Sequence, residues 1–440
     1  MKHDARFLAV KILDTFEKED SQLSLIRDKV FSRNHSDLSN KYRATVLTNE
    51  IVRLQDRFEL MIEHVSGRKK KQLDPSLSSI IKIGFFEILY DEFIPDYAAV
   101  DSSVKLTRRI LNHNASGFTN AVLRKLIRKQ ESNPDWFNLL KKDNRWPSLP
   151  AWIQSRWRSQ FGQKGFLELS DWMNKMPATY IRVNLNRDTL ETVMSKLIRS
   201  GIESVIYSDI FLKVKSGAGR ILSTDLFQNG TISIQNPASA AVVGIMEPKV
   251  GEKILDVCAA PGAKTLYLAE KVGKSGNIIA SDFDEKRVSL GERDLSRHGL
   301  RNIQWEVKDA EKDMYEMADK ILLDAPCTGT GVLGRKPDIR WRRKPSDIRR
   351  MSNLQLKILE NISKFLKIDG TIVYSTCSLE PEENWDVVKR FLKLNDDFQL
   401  DKKGILGINL DWINEDGCLE IFPHIHGVDG MFAARLLRKS

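Results

Sequence analysis

Two of the four cysteines follow short polar runs that end predicted buried strands, where a thiol could face a ligand. Cys327 closes the run Asp-Ala-Pro-Cys that begins at Asp324, and Cys377 closes the run Ser-Thr-Cys. Addition of a thiolate to carbon 6 of a pyrimidine makes carbon 5 nucleophilic enough to accept a methyl group. That chemistry needs an activated cysteine, a group that bonds the ring, and a base or second thiol that helps release. The two thiols and Asp324 therefore predict a site for methylation at carbon 5 of a pyrimidine.

The other two cysteines have simpler interpretations. Cys258 is interpreted as a small buried side chain that packs behind a turn, and Cys418 is interpreted as structural because it has no polar context. The cysteines have no paired-ligand spacing and no histidines cluster beside them, so we predict no metal site.

A second candidate site is the turn from Asp256 to Thr265, between a predicted strand and a predicted helix. Its small residues, which allow a ligand to approach the backbone closely, are Ala259, Ala260, Gly262 and Ala263. Asp282, Asp309 and Asp324 end or follow the next predicted strands. One such acid alone would fit an ordinary loop or helix cap, but three at successive strand ends favour a ligand site at the carboxyl edge of the sheet.

The type of ligand follows from what this turn lacks. It has neither the Gly-x-Gly-x-x-Gly pattern of dinucleotide sites nor the phosphate-loop pattern Gly-x-x-x-x-Gly-Lys-Ser/Thr. Both absences argue against a nicotinamide or triphosphate ligand. A nucleoside ligand without phosphates, such as S-adenosylmethionine, needs little beyond ribose-binding acids and a close backbone, and it is the predicted cofactor.

The elements that carry these sites alternate between strand and helix in the C-terminal half. The predicted strands are Lys253–Val257, Asn277–Ser281, Ile303–Val307, Lys320–Asp324, Thr371–Ser375 and Met431–Leu437. Such alternation predicts an α/β, doubly wound, Rossmann-like and mostly parallel sheet. We assign residues 235–440 to this catalytic domain.

The N-terminal half predicts two further domains, as expected for 440 residues. Residues 1–130 show helical periodicity and little strand signal, so they predict an all-α domain. Residues 131–150 are polar and proline-containing and predict a linker. Residues 151–234 mix helices with short strands and predict a small α+β module.

Charge and composition limit the partners. The net charge is +10, and the stretch Arg335–Arg350 contains eight basic residues around Trp341. Guanidinium groups beside an aromatic plane suit phosphate contact with base stacking, although a solvated charged face is the alternative. No apolar run is long enough to cross a membrane, and we find no secretory signal. Unpaired cysteines indicate a reducing, cytoplasmic compartment.

Five segments resemble the Sun/Nol/Nop family of RNA (cytosine-5) methyltransferases. They are Asp256–Thr265, Asp324–Gly331, Lys336–Trp341, Tyr374–Asn384 and Asp429–Arg435. In the helical part, residues 98–106 and 117–125 resemble the RNA-binding domain of the NusB antitermination factor. The combination is similar to the B type of the bacterial 16S ribosomal RNA cytosine-5 methyltransferases, with a NusB-like N-terminal domain.

The resemblance assigns roles to individual residues. It implies that Cys377 is the nucleophile, that Cys327 assists release of the product and that Asp324 belongs to the catalytic group. It also implies cofactor contacts, which are Cys258, Ala259, Ala260, Pro261, Gly262, Ala263, Lys264, Asp282, Asp309 and Asp324. Two positions depart from the family pattern. Ala263 stands where glycine is usual, which requires a negative φ, and Asn236 stands where an acid is often found.

The implied partner is RNA, namely 16S ribosomal RNA or a small-subunit assembly intermediate, with no membrane and no obligate protein partner. Two alternatives remain open from the residues. The substrate could be transfer RNA, because the catalytic motifs are shared across the family. The chain could also be an RNA-binding or antitermination factor with a vestigial catalytic domain.

Overall fold

The computed structural model describes residues 4–402 and 408–440, and the chain divides into two compact units. The units are Met1–Met176 with Leu333–Arg342, and Pro177–Val332 with Arg343–Ser440. None of the helices in the described ranges is both long enough and apolar enough to cross a bilayer. The predicted linker, residues 131–150, lies inside the first unit, where Trp136 and Leu140 are buried in the core.

The first unit is helical, as predicted for residues 1–130, and it also contains the helix Ala151–Asn174, which was predicted to belong to the small module. Its helices are α1 (Ala5–Lys18), α2 (Leu23–Arg33), α3 (Leu38–Arg53), α4 (Gln55–Ser66), α5 (Pro75–Leu89), α6 (Asp96–Ile110), α7 (His113–Ser132) and α8 (Ala151–Asn174). Side-chain oxygens of Asp4, Asp37, Asp74 and Asn112 cap the first turns of α1, α3, α5 and α7. Buried apolar faces of α1 to α7 form one continuous core, and α8 is interrupted at Gly162.

The second unit begins with a small four-stranded module. Its elements are β1 (Tyr180–Val183), α9 (Leu190–Arg199), β2 (Glu203–Ser208), β3 (Phe211–Ser216), α10 (Asp225–Gln228) and β4 (Ile232–Ile234). The strands pair antiparallel in the order β2-β3-β1-β4. Ile181 and Val183 on β1 pack against Val193 and Leu197 of α9. The apolar residues that alternate along β1 thus lie on one face of this sheet, and α9 covers that face.

The catalytic sheet of the second unit has eight strands in the described ranges. They are β5 (Lys253–Val257), β6 (Asn277–Asp282), β7 (Ile303–Val307), β8 (Ala318–Asp324), β9 (Leu366–Thr376), β10 (Phe398–Leu400), β11 (Leu419–Ile421) and β12 (Met431–Arg438). The order is β10-β12-β9-β8-β5-β6-β7, with β11 paired to β12. Pairs from β9 to β7 are parallel, and β12 joins β9 antiparallel. The predicted Rossmann-like class is confirmed, with a mixed sheet.

Helices cover both faces of this sheet because its central strands are apolar on both sides. They are α11 (Pro237–Met246), α12 (Ala263–Val272), α13 (Glu285–His298), α15 (Pro345–Ile362), α16 (Trp385–Leu394) and α17 (Pro423–His426). The short helix α14 (Ile339–Arg342) belongs instead to the first unit.

The basic stretch Arg335–Arg350 is therefore divided between the units, and this corrects part of the predicted RNA surface. Arg340 is fully buried and donates hydrogen bonds to the carbonyl oxygens of Arg53 and Ser148, each at 2.9 Å. Trp341 packs against the helical core. Arg340 cannot contact RNA while it is buried in this way, and Trp341 is only partly exposed. The exposed cations of the stretch are Lys336, Lys344, Arg349 and Arg350.

Candidate active site

Parallel pairing of β8 with β9 brings the two candidate thiols together. In the register of these strands, Asp324 lies opposite Ser375, so the segments that follow both strands leave the same edge of the sheet. The sulfur atoms of Cys327 and Cys377 are 3.4 Å apart. Both cysteines are half-buried and neither forms a disulfide. Two thiols in contact can share one proton, so one sulfur can be ionised while the other donates to it.

Glycine at position 331 allows the two loops to approach this closely. The Gly331 N–H donates to the carbonyl oxygen of Cys377 at 2.9 Å, and the Gly430 N–H donates to the carbonyl oxygen of Gly331 at 2.9 Å. A Cβ atom at Gly331 would lie 2.8 Å from each of the carbonyl oxygens of Cys377 and Gly430. The contact between the loops therefore requires a residue without a side chain.

Asp324, at the end of β8, is held by two polar side chains. The Lys264 ammonium donates to Oδ2 of Asp324 at 2.7 Å, and the Ser375 hydroxyl donates to Oδ1 at 3.0 Å. Burial opposes the charge on Lys264, but the adjacent Asp324 carboxylate outweighs it and the pKa of Lys264 is raised. An ion pair is thus preserved at the mouth of the site, where the Asp324 side chain is 34% exposed.

The electrostatics of the two thiols differ. The hydrogen bond with Cys377 and then burial raise the pKa of the Cys327 thiol well above its usual value, with further contributions from the charges of Cys377 and Glu383. Cys327 thus retains its proton. Lys264, in contrast, interacts electrostatically with Cys377. A positive charge beside Cys377 and a negative charge near Cys327 favour ionisation of Cys377 within the pair.

The turn after β5 approaches the sheet edge through unusual backbone angles. Cys258 has a φ of 62° and Gly262 a φ of 106°, and the Ala260–Pro261 peptide bond is cis. Ala263 begins α12, so the negative φ that alanine requires at this departure from the family pattern is present. Burial raises the pKa of the Cys258 thiol, which favours its neutral form.

Two acids lie beneath and beside this turn. Asp256 is fully buried, and its Oδ2 accepts from the Thr265 hydroxyl at 2.6 Å while its Oδ1 has no partner among the described residues. Asp282 ends β6 and accepts from the Ala260 N–H at 3.2 Å, and Arg287 pairs with it at 3.0 Å. An unpartnered buried oxygen next to a constrained backbone turn fits a site that receives a polar nucleoside ligand.

The remaining predicted contacts are arranged less uniformly. The Ala259 N–H donates to the carbonyl oxygen of Ser281 at 2.9 Å, which joins the turn to β6. Asp309 makes local contacts instead. Its carboxylate accepts from the Glu311 N–H at 3.0 Å and pairs with Lys312 at 3.1 Å. Asp309 thus lies in a turn after β7, and no hydrogen bond described for it reaches the turn after β5.

Reasoning from the sequence missed the side chains that support the thiols. Glu383 is fully buried and accepts from the Thr328 N–H at 2.8 Å and from the Ser378 hydroxyl at 2.6 Å. Arg343 donates to the carbonyl oxygen of Thr328 at 3.2 Å. Glu383 lies in the segment Tyr374–Asn384, which resembles the family. Membership of that segment could have drawn attention to Glu383, but nothing in the sequence indicated its hydrogen-bonding partners.

Comparison with protein-family models gives three matches along the chain. Residues 243–437 match the model described as 16S rRNA methyltransferase RsmB/F. Residues 3–128 match the NusB family, and residues 149–210 match the ferredoxin-like domain of RsmF/B-like methyltransferases.

Whole-chain relatives agree with these matches. The chain is 30% identical to the probable ribosomal RNA small subunit methyltransferase B of Bacillus subtilis, over 100% of this chain and 99% of the relative. It is also 30% identical to ribosomal RNA small subunit methyltransferase B of Klebsiella pneumoniae, over 92% and 93% of the two chains.

The fold has a close counterpart among solved structures. The crystal structure of PH0851 superposes with a TM-score of 0.76 at 26% identity, over 99% of each chain. The resemblance deduced from the motifs is thus confirmed over the full length, including the use of S-adenosylmethionine as methyl donor. The chain belongs to the 16S rRNA methyltransferase family described as RsmB/F, and it is an S-adenosylmethionine-dependent RNA methyltransferase.

Proposed function

We propose that this enzyme methylates carbon 5 of a cytidine in 16S ribosomal RNA through a covalent bond between Cys377 and carbon 6 of the base. The observation that supports this most directly is the 3.4 Å contact between the sulfur atoms of Cys327 and Cys377. A methyltransferase that acts on an oxygen or an exocyclic nitrogen has no need of two adjoining thiols. Cytosine carbon 5 needs temporary activation, which a thiol can supply.

In the first step, the Cys377 thiolate attacks carbon 6 and the carbon 5–carbon 6 double bond opens toward carbon 5. The nearby Lys264 ammonium favours the thiolate, and the Asp324 carboxyl group would bond the polar edge of the ring. Carbon 5 becomes enamine-like and would attack the methyl group that bound S-adenosylmethionine supplies, so that the methyl–sulfur bond breaks and S-adenosylhomocysteine leaves. Cys327 supports this step as a hydrogen-bond donor to sulfur.

In the second step, carbon 5 loses its proton to solvent and the electron pair of that bond re-forms the ring double bond. The carbon 6–sulfur bond breaks, and Cys377 leaves as a thiolate. Cys327, which retains its proton, can donate to the departing sulfur at the distance observed. Removal of the Cys327 thiol should therefore impair breakage of the carbon 6–sulfur bond more than the steps before it.

The turn after β5 would hold the cofactor, with Asp256 and Asp282 as the polar groups beneath and beside it. When bound, S-adenosylmethionine supplies an electrophilic methyl group. Cys258 to Lys264 would form the wall of this site, with Asp324 at its thiol end. Asp309, in the turn after β7, would be a further contact of the cofactor.

For the RNA, we propose ribosomal RNA of the small subunit, the substrate given in the names of the relatives, rather than transfer RNA. Residues 1–130 and 151–234 would bind RNA, and residues 235–440 would carry catalysis. Arg343 contacts the carbonyl oxygen of Cys327 at 3.4 Å, and the exposed cations Lys344, Arg349 and Arg350 follow it in sequence. The free thiols require a reducing compartment, which supports a cytoplasmic setting.

The test compares Cys377→Ala, Cys327→Ala and the control Cys418→Ala with the unchanged enzyme. Labelled methyl transfer to 16S ribosomal RNA and to unmethylated small subunits is measured, and protein–RNA adducts are separated on denaturing gels. We expect Cys377→Ala to lose methyl transfer and adduct together. Cys327→Ala should accumulate the adduct, whereas Cys418→Ala, which lies outside the site, should do neither.

Bisulfite sequencing of RNA from a strain that lacks the gene would identify the target base. A missing 5-methylcytidine in 16S ribosomal RNA is the expected result, and its loss from transfer RNA instead would contradict the proposed substrate. Normal turnover by the Cys377→Ala variant would overturn the covalent route.

A further inference from the structure

We propose that Glu383 is a positioning residue that ties the two cysteine loops together and leaves the shared proton of the thiol pair on Cys327. The proposal rests on the function proposed above, because it assigns unequal roles to Cys327 and Cys377. It adds a residue that touches neither the base nor the cofactor but determines which sulfur is the nucleophile.

Glu383 connects the residues that directly follow each cysteine. One carboxylate oxygen accepts from the Thr328 N–H at 2.8 Å, and the other accepts from the hydroxyl groups of Thr328 and Ser378, the latter at 2.6 Å. Thr328 follows Cys327, and Ser378 follows Cys377. A single buried side chain thus joins two loops that leave neighbouring strands.

A fourth donor extends the connection to α15. The side-chain amide of Gln355 donates to Glu383 at 3.1 Å and also to the carbonyl oxygen of Pro326, the residue before Cys327, at 2.9 Å. Cys327 is therefore held from both neighbours. Because Gln355 is fully buried and lies on a long helix, these bonds fix the loop relative to a rigid element.

The four hydrogen bonds favour the ionised form of Glu383. Each carboxylate oxygen receives two donors, and an ionised carboxylate only accepts. The hydrogen-bonding partners described for Glu383 are all neutral. Burial raises the pKa of Glu383 overall, and the hydrogen bonds from Ser378, Thr328 and Gln355 offset part of that increase in favour of the carboxylate. The carboxylate therefore brings a negative charge, without a bound cation, to the base of the loops.

That charge helps to make two otherwise similar thiols unequal, although the Arg343 guanidinium, which donates to the carbonyl oxygens of Thr328 at 3.2 Å and Cys327 at 3.4 Å, opposes its effect. A carboxylate near Cys327 disfavours a thiolate there, whereas the Lys264 ammonium favours one at Cys377. Without this asymmetry, either sulfur of a pair in contact could ionise. A Cys327 thiolate would leave the nucleophile protonated and would remove the donor that assists its departure.

The test uses Glu383→Gln, which keeps the shape of the side chain but not its charge, and Glu383→Ala, which removes the connection. Glu415→Gln, the same change at an exposed residue of the second unit, is the control. Each full-length protein is treated with limiting iodoacetamide without RNA, and mass spectrometry gives the ratio of alkylation at Cys377 to that at Cys327. S-adenosylmethionine affinity and methyl-transfer rate are measured in parallel.

We expect the unchanged enzyme and Glu415→Gln to be alkylated mainly at Cys377. Glu383→Gln should lower the ratio about tenfold, as a shift of one pKa unit would, with unchanged cofactor affinity. Glu383→Ala should also slow methyl transfer by about a hundredfold, in the range of a lost proton-transfer group. An unchanged ratio in Glu383→Gln would overturn the proposal, even if Glu383→Ala fails to fold.

The alkylation ratio depends neither on RNA nor on methyl transfer, so it separates this inference from the proposed function. If the ratio shifts while Cys377→Ala still methylates RNA, the proposed function fails and the role of Glu383 in the thiol pair stands. If the ratio is unchanged while Cys377→Ala is inactive, only the inference about Glu383 fails.

Discussion

At the scale of single residues, the site depends on buried groups whose charge is decided by very few neighbours. Asp256 and Glu383 are both fully buried acids. Glu383 receives four donors, whereas one oxygen of Asp256 has none among the described residues. Equal burial therefore leads to different chemistry, because hydrogen-bond donors and not depth determine whether a carboxylate can stay charged.

The first prediction concerns Asp256→Asn. Burial raises the pKa of Asp256 from 3.8 to about 7. The folded state therefore binds more protons than the unfolded state between these values, and stability falls as pH rises through that range. The fall should be at most about 1.4 kcal/mol per pH unit. The asparagine side chain cannot ionise. The free energy of unfolding of the variant, relative to that of the unchanged protein, should therefore increase as pH rises.

Chemical denaturation of the apo protein at about pH 5 and about pH 8 measures this difference. The control is Asp416→Asn, at an exposed residue, which should give the same difference at both values. A difference between Asp256→Asn and the unchanged protein that does not vary with pH would show that Asp256 is ionised in the folded state.

At the scale of elements, the central strands of the catalytic sheet were predictable because burial on both faces selects short apolar runs, whereas the three-residue strands β10 and β11 were not predicted. The predicted strands Lys253–Val257 and Ile303–Val307 have the observed bounds, and β9 begins five residues before the predicted Thr371. Strand β2 of the small module was not predicted. Its residues are mostly exposed on both faces, so it has no apolar alternation to recognise.

The thiol contact was predictable for a related reason. Parallel strands end at the same edge, so cysteines placed shortly after β8 and β9 had to be close. The support behind them was not predictable. Glu383 acts through Thr328, 55 residues away in sequence, and no local pattern encodes such a hydrogen bond.

A second prediction belongs to these loops. Gly331→Ala would place a Cβ atom 2.8 Å from the carbonyl oxygens of Cys377 and Gly430, which are backbone atoms and cannot rotate away. The loops must separate, so we expect a loss of stability of about 1–3 kcal/mol and a larger loss of methyl transfer. Thermal unfolding and labelled methyl transfer measure the two effects.

Gly334→Ala provides the matched control, since its nearest neighbour, the carbonyl oxygen of Met173, would be 3.9 Å from the new Cβ atom. It should retain both stability and activity. Full activity in Gly331→Ala would mean that the thiols do not require the loop contact that the structure shows.

At the scale of the whole molecule, chain order and spatial order differ. The segment Leu333–Arg342 follows the Cys327 loop in sequence but belongs to the helical first unit. This explains why the basic stretch was misinterpreted. The acceptors of the Arg340 guanidinium include Met173 and Ser148, which are 167 and 192 residues away, so nothing near Arg340 signals that it is buried. Clustered arginines therefore predict RNA contact only where their guanidinium groups are not hydrogen-bonded to acceptors within the protein.

The third prediction is that residues 1–176 alone lack part of their own core. The Leu333–Arg342 segment supplies the Asp338 carboxylate to the Leu23 N–H at 3.0 Å, and it accepts two hydrogen bonds from the fully buried Arg53 side chain at the carbonyl oxygen of Gly334. Buried groups left without partners cost about 1–3 kcal/mol each. The fragment should therefore unfold at a lower temperature than a fragment supplemented with a peptide of residues 333–342.

The stabilisation should increase with peptide concentration, because the peptide binds the folded fragment and not the unfolded one. The control is a peptide with Arg340→Ala. It cannot donate to the carbonyl oxygens of Arg53 and Met173 or to Asn174, so it should stabilise the fragment far less.

Calorimetric unfolding of the fragment with each peptide measures the difference. A fragment whose unfolding temperature neither peptide changes would show that the helical core is complete without the segment. Stabilisation by the first peptide alone would mean that a stretch between Cys327 and Cys377 is structurally part of the helical unit.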